Sequence, residues 1–202
     1  MNIATWITLS RLLMLPLAIL PVVSGWNNGW FIAAAVTALA GLTDVFDGYI
    51  ARNKGQITAL GTNMDLIIDK VFVVAMFIFT YFRRLIPLWI PVIFILREVA
   101  VTSVRLIPFR DDLLAPDAWG KTKTAVSFAA IIMILMQQDL ISGGVSARAD
   151  AHMPLTPLLS LTPWVTLAAV MLTVFSGMNY LVRYGSILRH KKLYTAKDTL
   201  KG

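Results

Sequence analysis

The stretch GWFIAAAVTALAGLTDVFDGYIA, residues 29–51, is long and apolar enough to cross a bilayer, yet it carries Asp44 and Asp47 near its end. A helix rising about 1.5 Å per residue needs about twenty residues to cross a hydrocarbon core of roughly 30 Å. Working outward, further apolar blocks of that kind occupy residues 4–25, 62–83, 86–106, 121–138 and 159–184. The 202-residue chain is 57% hydrophobic and 14% charged, with a mean hydropathy of +0.72. Soluble domains carry about 25% charged residues, so the composition argues against a water-soluble globule. The expected fold is all-α: a polytopic membrane protein with six transmembrane helices around a cytoplasm-facing polar site, in a single domain over residues 1–202. With no cysteine, disulfides, thiolate metal sites and thiol nucleophiles are excluded.

The net charge of +7 fits either a nucleic-acid partner or the cytoplasmic loops of a membrane protein, and placement decides between them. Thirteen of the 18 Lys and Arg gather on one side: Arg11, Arg52 and Lys54, four around the connection between spans four and five, and six in the tail. Arg83, Arg84 and Arg148 fall on the other side, and Lys70 and Arg97 lie within spans. Both termini and the site are therefore expected at the cytoplasmic face of the cell (inner) membrane, with no nucleic-acid partner. The Arg83-Arg84 pair is discordant, since this topology puts it outside, and a five-span arrangement is the main competitor. The first span, with Arg11 and no basic segment ahead of it, reads as a retained helix rather than a signal peptide. Trp26, Trp30 and Trp89 read as interfacial anchors. Residues 139–158, with Gly143-Gly144 and Pro154, form the longest outer loop and are expected to be mobile, and His152 and His190 read as solvent-exposed.

Charged groups inside a bilayer are costly and usually functional. Asp44 and Asp47 stand three apart near the end of span two, and Asp65 and Asp69 four apart near the start of span three, so each pair shares a helical face. The spans are joined by a short connection and run antiparallel, which places the two pairs at similar depth. Four carboxylates so close must protonate or hold cations. All-oxygen ligation favours hard ions, and four carboxylates suit two divalent cations, Mg²⁺ or Mn²⁺. Gly41, Gly48, Ala51 and Gly61 around the cluster let a ligand or helix approach the backbone, and Arg52 at the interface can neutralise a diphosphate.

In span four, Arg97 lies eight residues before Arg105, about two helical turns deeper on roughly the same face. A guanidinium there either balances the carboxylates or binds a substrate phosphate. Arg105, Lys121 and Lys123 extend that basic wall. Glu98 reads equally as a site residue or as the local partner of Arg97, and Lys70 as a snorkelling or locally paired cation.

Taken together, Asp44-Val-Phe-Asp47-Gly48-Tyr-Ile-Ala51-Arg52 and Gly61-Thr-Asn-Met-Asp65-Leu-Ile-Ile-Asp69 resemble the signature of the CDP-alcohol phosphatidyltransferase family, with all eight signature positions filled at the family's spacing. The resemblance covers most of the chain. Asn2-Ile3…Thr8…Arg11, Arg97-Glu98…Arg105, Gly120-Lys121-Thr-Lys123-Thr124 and Ser176-Gly177…Tyr180 are similar to members that use sn-glycerol 3-phosphate. Thr5, where the opening motif often has Asn, and Leu66-Ile67-Ile68 between the last two aspartates depart from the pattern and leave the metal ligands in place.

The resemblance implies that Asp44, Asp47, Asp65 and Asp69 bind two divalent cations and that Asp69 is also the general base. It further implies that Gly48, Ala51, Arg52 and Gly61 contact the CDP headgroup, and that Arg97, Arg105, Lys121 and Lys123 are candidates for the acceptor phosphate. The implied reaction moves the phosphatidyl group of CDP-diacylglycerol to sn-glycerol 3-phosphate and releases CMP, in a homodimer surrounded by membrane lipids. Phosphatidylglycerol, inositol phosphate and serine are the competing acceptors, and the basic wall favours a phosphorylated one. An ion-coupled transporter is the remote alternative; it would show repeated halves with broken helices, and the sequence has no internal repeat.

Overall fold

The computed structural model describes residues 3–54, 59–105, 118–150 and 154–199, with side chains placed over 12–43, 71–103, 122–150 and 154–182. The described residues are all-helical: α1 (Ile3–Val23), α2 (Gly29–Lys54), α3 (Ala59–Phe82), α4 (Trp89–Arg105), α5 (Ala118–Ile141), α6 (Val145–Asp150), α7 (Thr156–Leu159) and α8 (Thr162–Thr199). Each expected apolar block coincides with one of the six long helices. The ends differ for local reasons. α4 begins at Trp89, after a turn through Pro87 whose carbonyl accepts the amide of Ile90 at 3.2 Å. α8 runs past the apolar block into the basic tail as far as Thr199, because hydropathy measures the lipid-facing length and not the helix.

Three long helices stop in the same way. At the ends of α1, α3 and α5 the amides of Trp26, Leu85 and Gly144 reach back to the carbonyls of Pro21, Thr80 and Asp139 at 2.9–3.0 Å. The residue before each is left-handed: Gly25 at φ 69°, Arg84 at φ 59° and Gly143 at φ 75°. This is the Schellman termination, which satisfies carbonyls that a helix end would otherwise leave bare. The α1–α2 turn is also sterically closed, for a Cβ on Gly29 would stand 2.5 Å from the Pro21 carbonyl oxygen.

The stretch 139–158, expected to be mobile, is organised where it is described. Asp139, fully buried at the end of α5, accepts the amide of Ser146 at 2.7 Å and so anchors α6. Asp150 accepts the amides of Leu155 and Thr156 and the Thr156 hydroxyl. These hydrogen bonds, the Thr156 hydroxyl first, hold its carboxyl below the ordinary value of 3.8.

Packing is centred on α5, which meets α2, α3 and α8, while α1 lies on α2 and α3, and α4 on α3 and α8. Fully buried alanines, Ala18, Ala33, Ala40, Ala130 and Ala169, bring the helices close, and aromatic pairs fill the wider gaps, with Phe77 and Phe94 rings 4.3 Å apart. Buried hydroxyls turn back onto their own helices: Thr37 donates to Ala33 at 2.7 Å, Thr80 to Phe77 at 2.9 Å and Thr173 to Ala169 at 2.7 Å. Large apolar side chains such as Leu13, Leu39, Leu96, Trp164 and Met171 face outward. Buried hydroxyls bonded within their own helices and an apolar exterior suit lipid as the surrounding solvent. Two described stretches, Thr122–Ile141 and Thr156–Val182, are long and apolar enough to cross a membrane, and Leu12–Val23, Gly29–Thr43 and Val71–Phe82 are shorter apolar helical stretches.

The α3–α4 turn, the end of α5 and the starts of α4 and α8 line one cavity of about 580 Å³. Arg83 lies over the Trp30 ring at 5.2 Å, bringing the start of α2 to the same end. The remaining halves of these helices gather at the opposite end, where the sequence places its charged candidates.

Candidate functional site

Phe128 of α5 serves as a ruler for that opposite end. Its ring stacks on Phe72 of α3 with centroids 5.8 Å apart, and a Cβ on Gly41 of α2 would touch it at 3.1 Å. Position 44 lies three residues beyond Gly41, and position 69 three residues before Phe72. Since α2 and α3 run in opposite directions, both positions lie about 4.5 Å further toward the same end of the bundle. Positions 41, 44 and 48 share one stripe of α2, and 72, 69 and 65 share one stripe of α3. The helical backbone thus registers both aspartate pairs on a common residue. The side chains of Asp44, Asp47, Asp65 and Asp69, and those at Gly48, Ala51, Arg52, Gly61, Arg105 and Lys121, lie outside the described residues. All ten positions are on described helices: the first-named pair of aspartates, Gly48, Ala51 and Arg52 on α2, the second pair and Gly61 on α3, Arg105 closing α4 and Lys121 in the first turn of α5. Among the described side chains no group of three or more His, Cys, Asp and Glu forms a metal site.

Two of the expected basic residues are seen in detail, and the fold brings them together. Arg97 on α4 donates through Nη1 to Oε1 of Glu98 at 2.8 Å and through Nη2 to the Ser176 hydroxyl of α8 at 3.1 Å. Lys123 on α5 donates to the same Glu98 oxygen. The side chains of Arg97, Glu98 and Lys123 are only 13%, 14% and 6% exposed. Lys123 Nζ also stands 5.7 Å from the centre of the Phe94 ring, close enough for a cation–π attraction. Lys123, expected to extend the basic wall around the connection between spans four and five, is buried on α5. Glu98 thus takes a cation from α4 and a cation from α5 on one carboxylate oxygen. Arg97 Nε has no hydrogen-bond partner among the described residues.

Glu98 therefore acts as the partner that holds both cations. The sequence did not assign functions to Ser176, Gly177 or Phe128. A Cβ on Gly177 would lie 3.0 Å from Cγ of Arg97, so the glycine seats the arginine stem. The signal was present as Ser176-Gly177, but its partner is 79 residues away in sequence and no local pattern links them.

The four aspartate positions on the α2 and α3 backbones are the residues that could hold hard divalent cations, for which all-oxygen ligands are suited.

Comparison with known proteins agrees with this chemistry. The family model for CDP-alcohol phosphatidyltransferase matches residues 1–182. Over 186 residues the chain is 33% identical to a probable phosphatidylglycerophosphate synthase of Mycobacterium tuberculosis, covering 90% of this chain and 81% of that protein. Over 149 residues it is 34% identical to a CDP-diacylglycerol–glycerol-3-phosphate 3-phosphatidyltransferase of Wigglesworthia glossinidia brevipalpis, covering 70% of this chain and 80% of that protein. An enzyme of the same name from Haemophilus influenzae is 28% identical over 201 residues, 95% of this chain and 98% of that protein. The signature on α2 and α3, the helical bundle that carries it and these relatives agree: the chain belongs to the CDP-alcohol phosphatidyltransferase family and is a transferase.

Proposed function

We propose that this protein transfers the phosphatidyl group of CDP-diacylglycerol to sn-glycerol 3-phosphate, giving phosphatidylglycerophosphate and CMP. The observation that supports the reading is that Gly41 of α2 and Phe72 of α3 both meet Phe128, three residues from positions 44 and 69. The names of its relatives supply the acceptor.

In this reading six helices, α1 to α5 and α8, cross the membrane as one domain with both termini and the site cytoplasmic. The tryptophan-bearing end then faces outward. There Arg83 is spent on the Trp30 ring and Arg84 on the α3 termination, which gives the discordant basic pair a local structural role.

Asp69 takes the proton from the C1 hydroxyl of sn-glycerol 3-phosphate. The oxygen attacks the phosphorus that bears diacylglycerol, a new P–O bond forms, the diphosphate P–O bond breaks, and CMP leaves with that bond's electrons. Asp44, Asp47, Asp65 and Asp69 would hold two Mg²⁺ or Mn²⁺ ions, which when bound neutralise the diphosphate and the charge on departing CMP. Gly48, Ala51 and Gly61 leave space for the CDP headgroup at the backbone, and Arg52 adds a fixed cation. Arg97 and Lys123, with Arg105 and Lys121, attract and orient the acceptor's phosphate; such positioning and electrostatics supply most of the catalysis in phosphoryl transfer.

The test is CMP release by detergent-purified protein given CDP-diacylglycerol, Mg²⁺ or Mn²⁺ and one acceptor at a time. Release is expected with sn-glycerol 3-phosphate, with loss on chelation and in Asp69→Ala. Release only with phosphatidylglycerol, inositol phosphate or serine would move the acceptor and keep the chemistry. Folded protein that releases CMP with none of them would overturn the reading.

A further inference from the structure

The last helix carries none of the eight signature residues, yet its described part touches Arg97 of the basic wall. Ser176 Oγ accepts from Arg97 Nη2 at 3.1 Å, and the missing side chain of Gly177 leaves room for the Arg97 stem, whose Cγ would be 3.0 Å from an added Cβ. Ser176 is itself buried at 3% exposure, so the bond is largely shielded from solvent. α4 and α8 pack directly on each other, and this contact fixes where along that seam the guanidinium sits. A long side chain with several free torsions would otherwise sample many positions, and ordering it in advance lowers the cost of binding an anion.

We propose that Ser176 and Gly177 are positioning residues for the acceptor substrate: they hold Arg97 in the pose that receives the phosphate of a small phosphorylated alcohol. The inference rests on the reading of Arg97 as an acceptor contact. The phosphate meets Arg97 rather than Ser176, so α8 sets acceptor affinity without touching the reacting atoms. The CDP-diacylglycerol half of the site, on α2 and α3, is left unaffected.

The experiment measures CMP release with each substrate varied in turn for Ser176→Ala, Ser176→Thr, Gly177→Ala and Arg97→Ala, alongside thermal unfolding in detergent. Losing one charge-assisted hydrogen bond should raise KM for sn-glycerol 3-phosphate by about threefold to tenfold in Ser176→Ala. Gly177→Ala should act in the same direction by displacing the stem. KM for CDP-diacylglycerol should stay within about twofold, and Ser176→Thr, which keeps the hydroxyl, should recover most of the loss. A parallel rise in both KM values, or a loss that follows melting temperature and is not rescued by Ser176→Thr, would overturn the inference in favour of a merely structural role. If Arg97→Ala raises acceptor KM while Ser176→Ala and Gly177→Ala leave it unchanged, the positioning role falls and the acceptor site stands. If Arg97→Ala itself leaves acceptor KM unchanged, both fall.

Discussion

Replacing Glu98 by glutamine removes the carboxylate that Arg97 and Lys123 share and leaves two cations facing each other between α4, α5 and α8. At the 2.8 Å separation of Arg97 Nη1 and Glu98 Oε1, with an effective dielectric of about 20, the direct attraction is roughly 6 kcal/mol. Desolvation offsets much of that. Removing one partner of a buried pair nevertheless costs about 3–5 kcal/mol, because the other charge stays buried without compensation. The exposures of 13%, 14% and 6% for Arg97, Glu98 and Lys123 place this group in that buried class. Glutamine keeps one oxygen acceptor, so the lower figure of about 3 kcal/mol is expected, or a fall in Tm of roughly 6–12 °C for a chain of this length. The assay is thermal unfolding of purified protein in detergent, for Glu98→Gln, Lys123→Met and the double variant. The double variant should melt above Glu98→Gln, since it removes one of the two like charges that the glutamine leaves face to face. A Glu98→Gln protein that melts within about 2 °C of the parent would refute the argument, and so would a double variant whose loss is the sum of the two single losses.

Gly29→Ala should lower Tm clearly, by the equivalent of about 1–3 kcal/mol, because its Cβ meets the Pro21 carbonyl oxygen at 2.5 Å and backbone cannot swing aside; unchanged melting would mean that the α1–α2 turn is looser than described. Arg84→Gly should raise stability by up to about 1 kcal/mol, since the residue is left-handed at φ 59° and glycine bears no penalty there; a lower Tm in unfolding measurements would show that the arginine side chain outweighs its backbone. Asp150 has a folded-state pKa below its ordinary 3.8, so the stability it contributes is present above about pH 4 and lost as pH falls through the lowered value. Amide exchange at Leu155 and Thr156, corrected for the intrinsic pH dependence, should therefore accelerate below that pH, and Asp150→Asn should remove the dependence; protection unaffected by acid would count against the cap.

Much of the bundle was legible because its cause is local. Twenty-residue apolar blocks mark helices wherever they pack, and four aspartates within two of those blocks announce a polar site, since nothing else repays their cost in lipid. By sequence the stretch 139–158 reads as a long loop, and where it is described it holds α6 and α7. Glycine content is the same in a flexible loop and in a Schellman turn, and the difference lies in Asp139 and Asp150, whose hydrogen-bond partners appear only once the chain has folded. Lys123 reads as part of a basic wall, and its burial against a carboxylate 25 residues away appears only in the fold.

The sequence by itself determined the helices, the spacing of the two aspartate pairs and the family chemistry that this spacing carries, because each depends on the 3.6-residue period or on neighbours along the chain. Tertiary structure decided what depends on contact between distant segments. It set α2 and α3 in register on Phe128, joined Arg97 and Lys123 through Glu98, and seated Arg97 on Ser176 and Gly177. Hydropathy can say that a helix crosses, but its rotation and depth against its neighbours follow from which small and large side chains interlock, and those pairings become physical only when the helices meet.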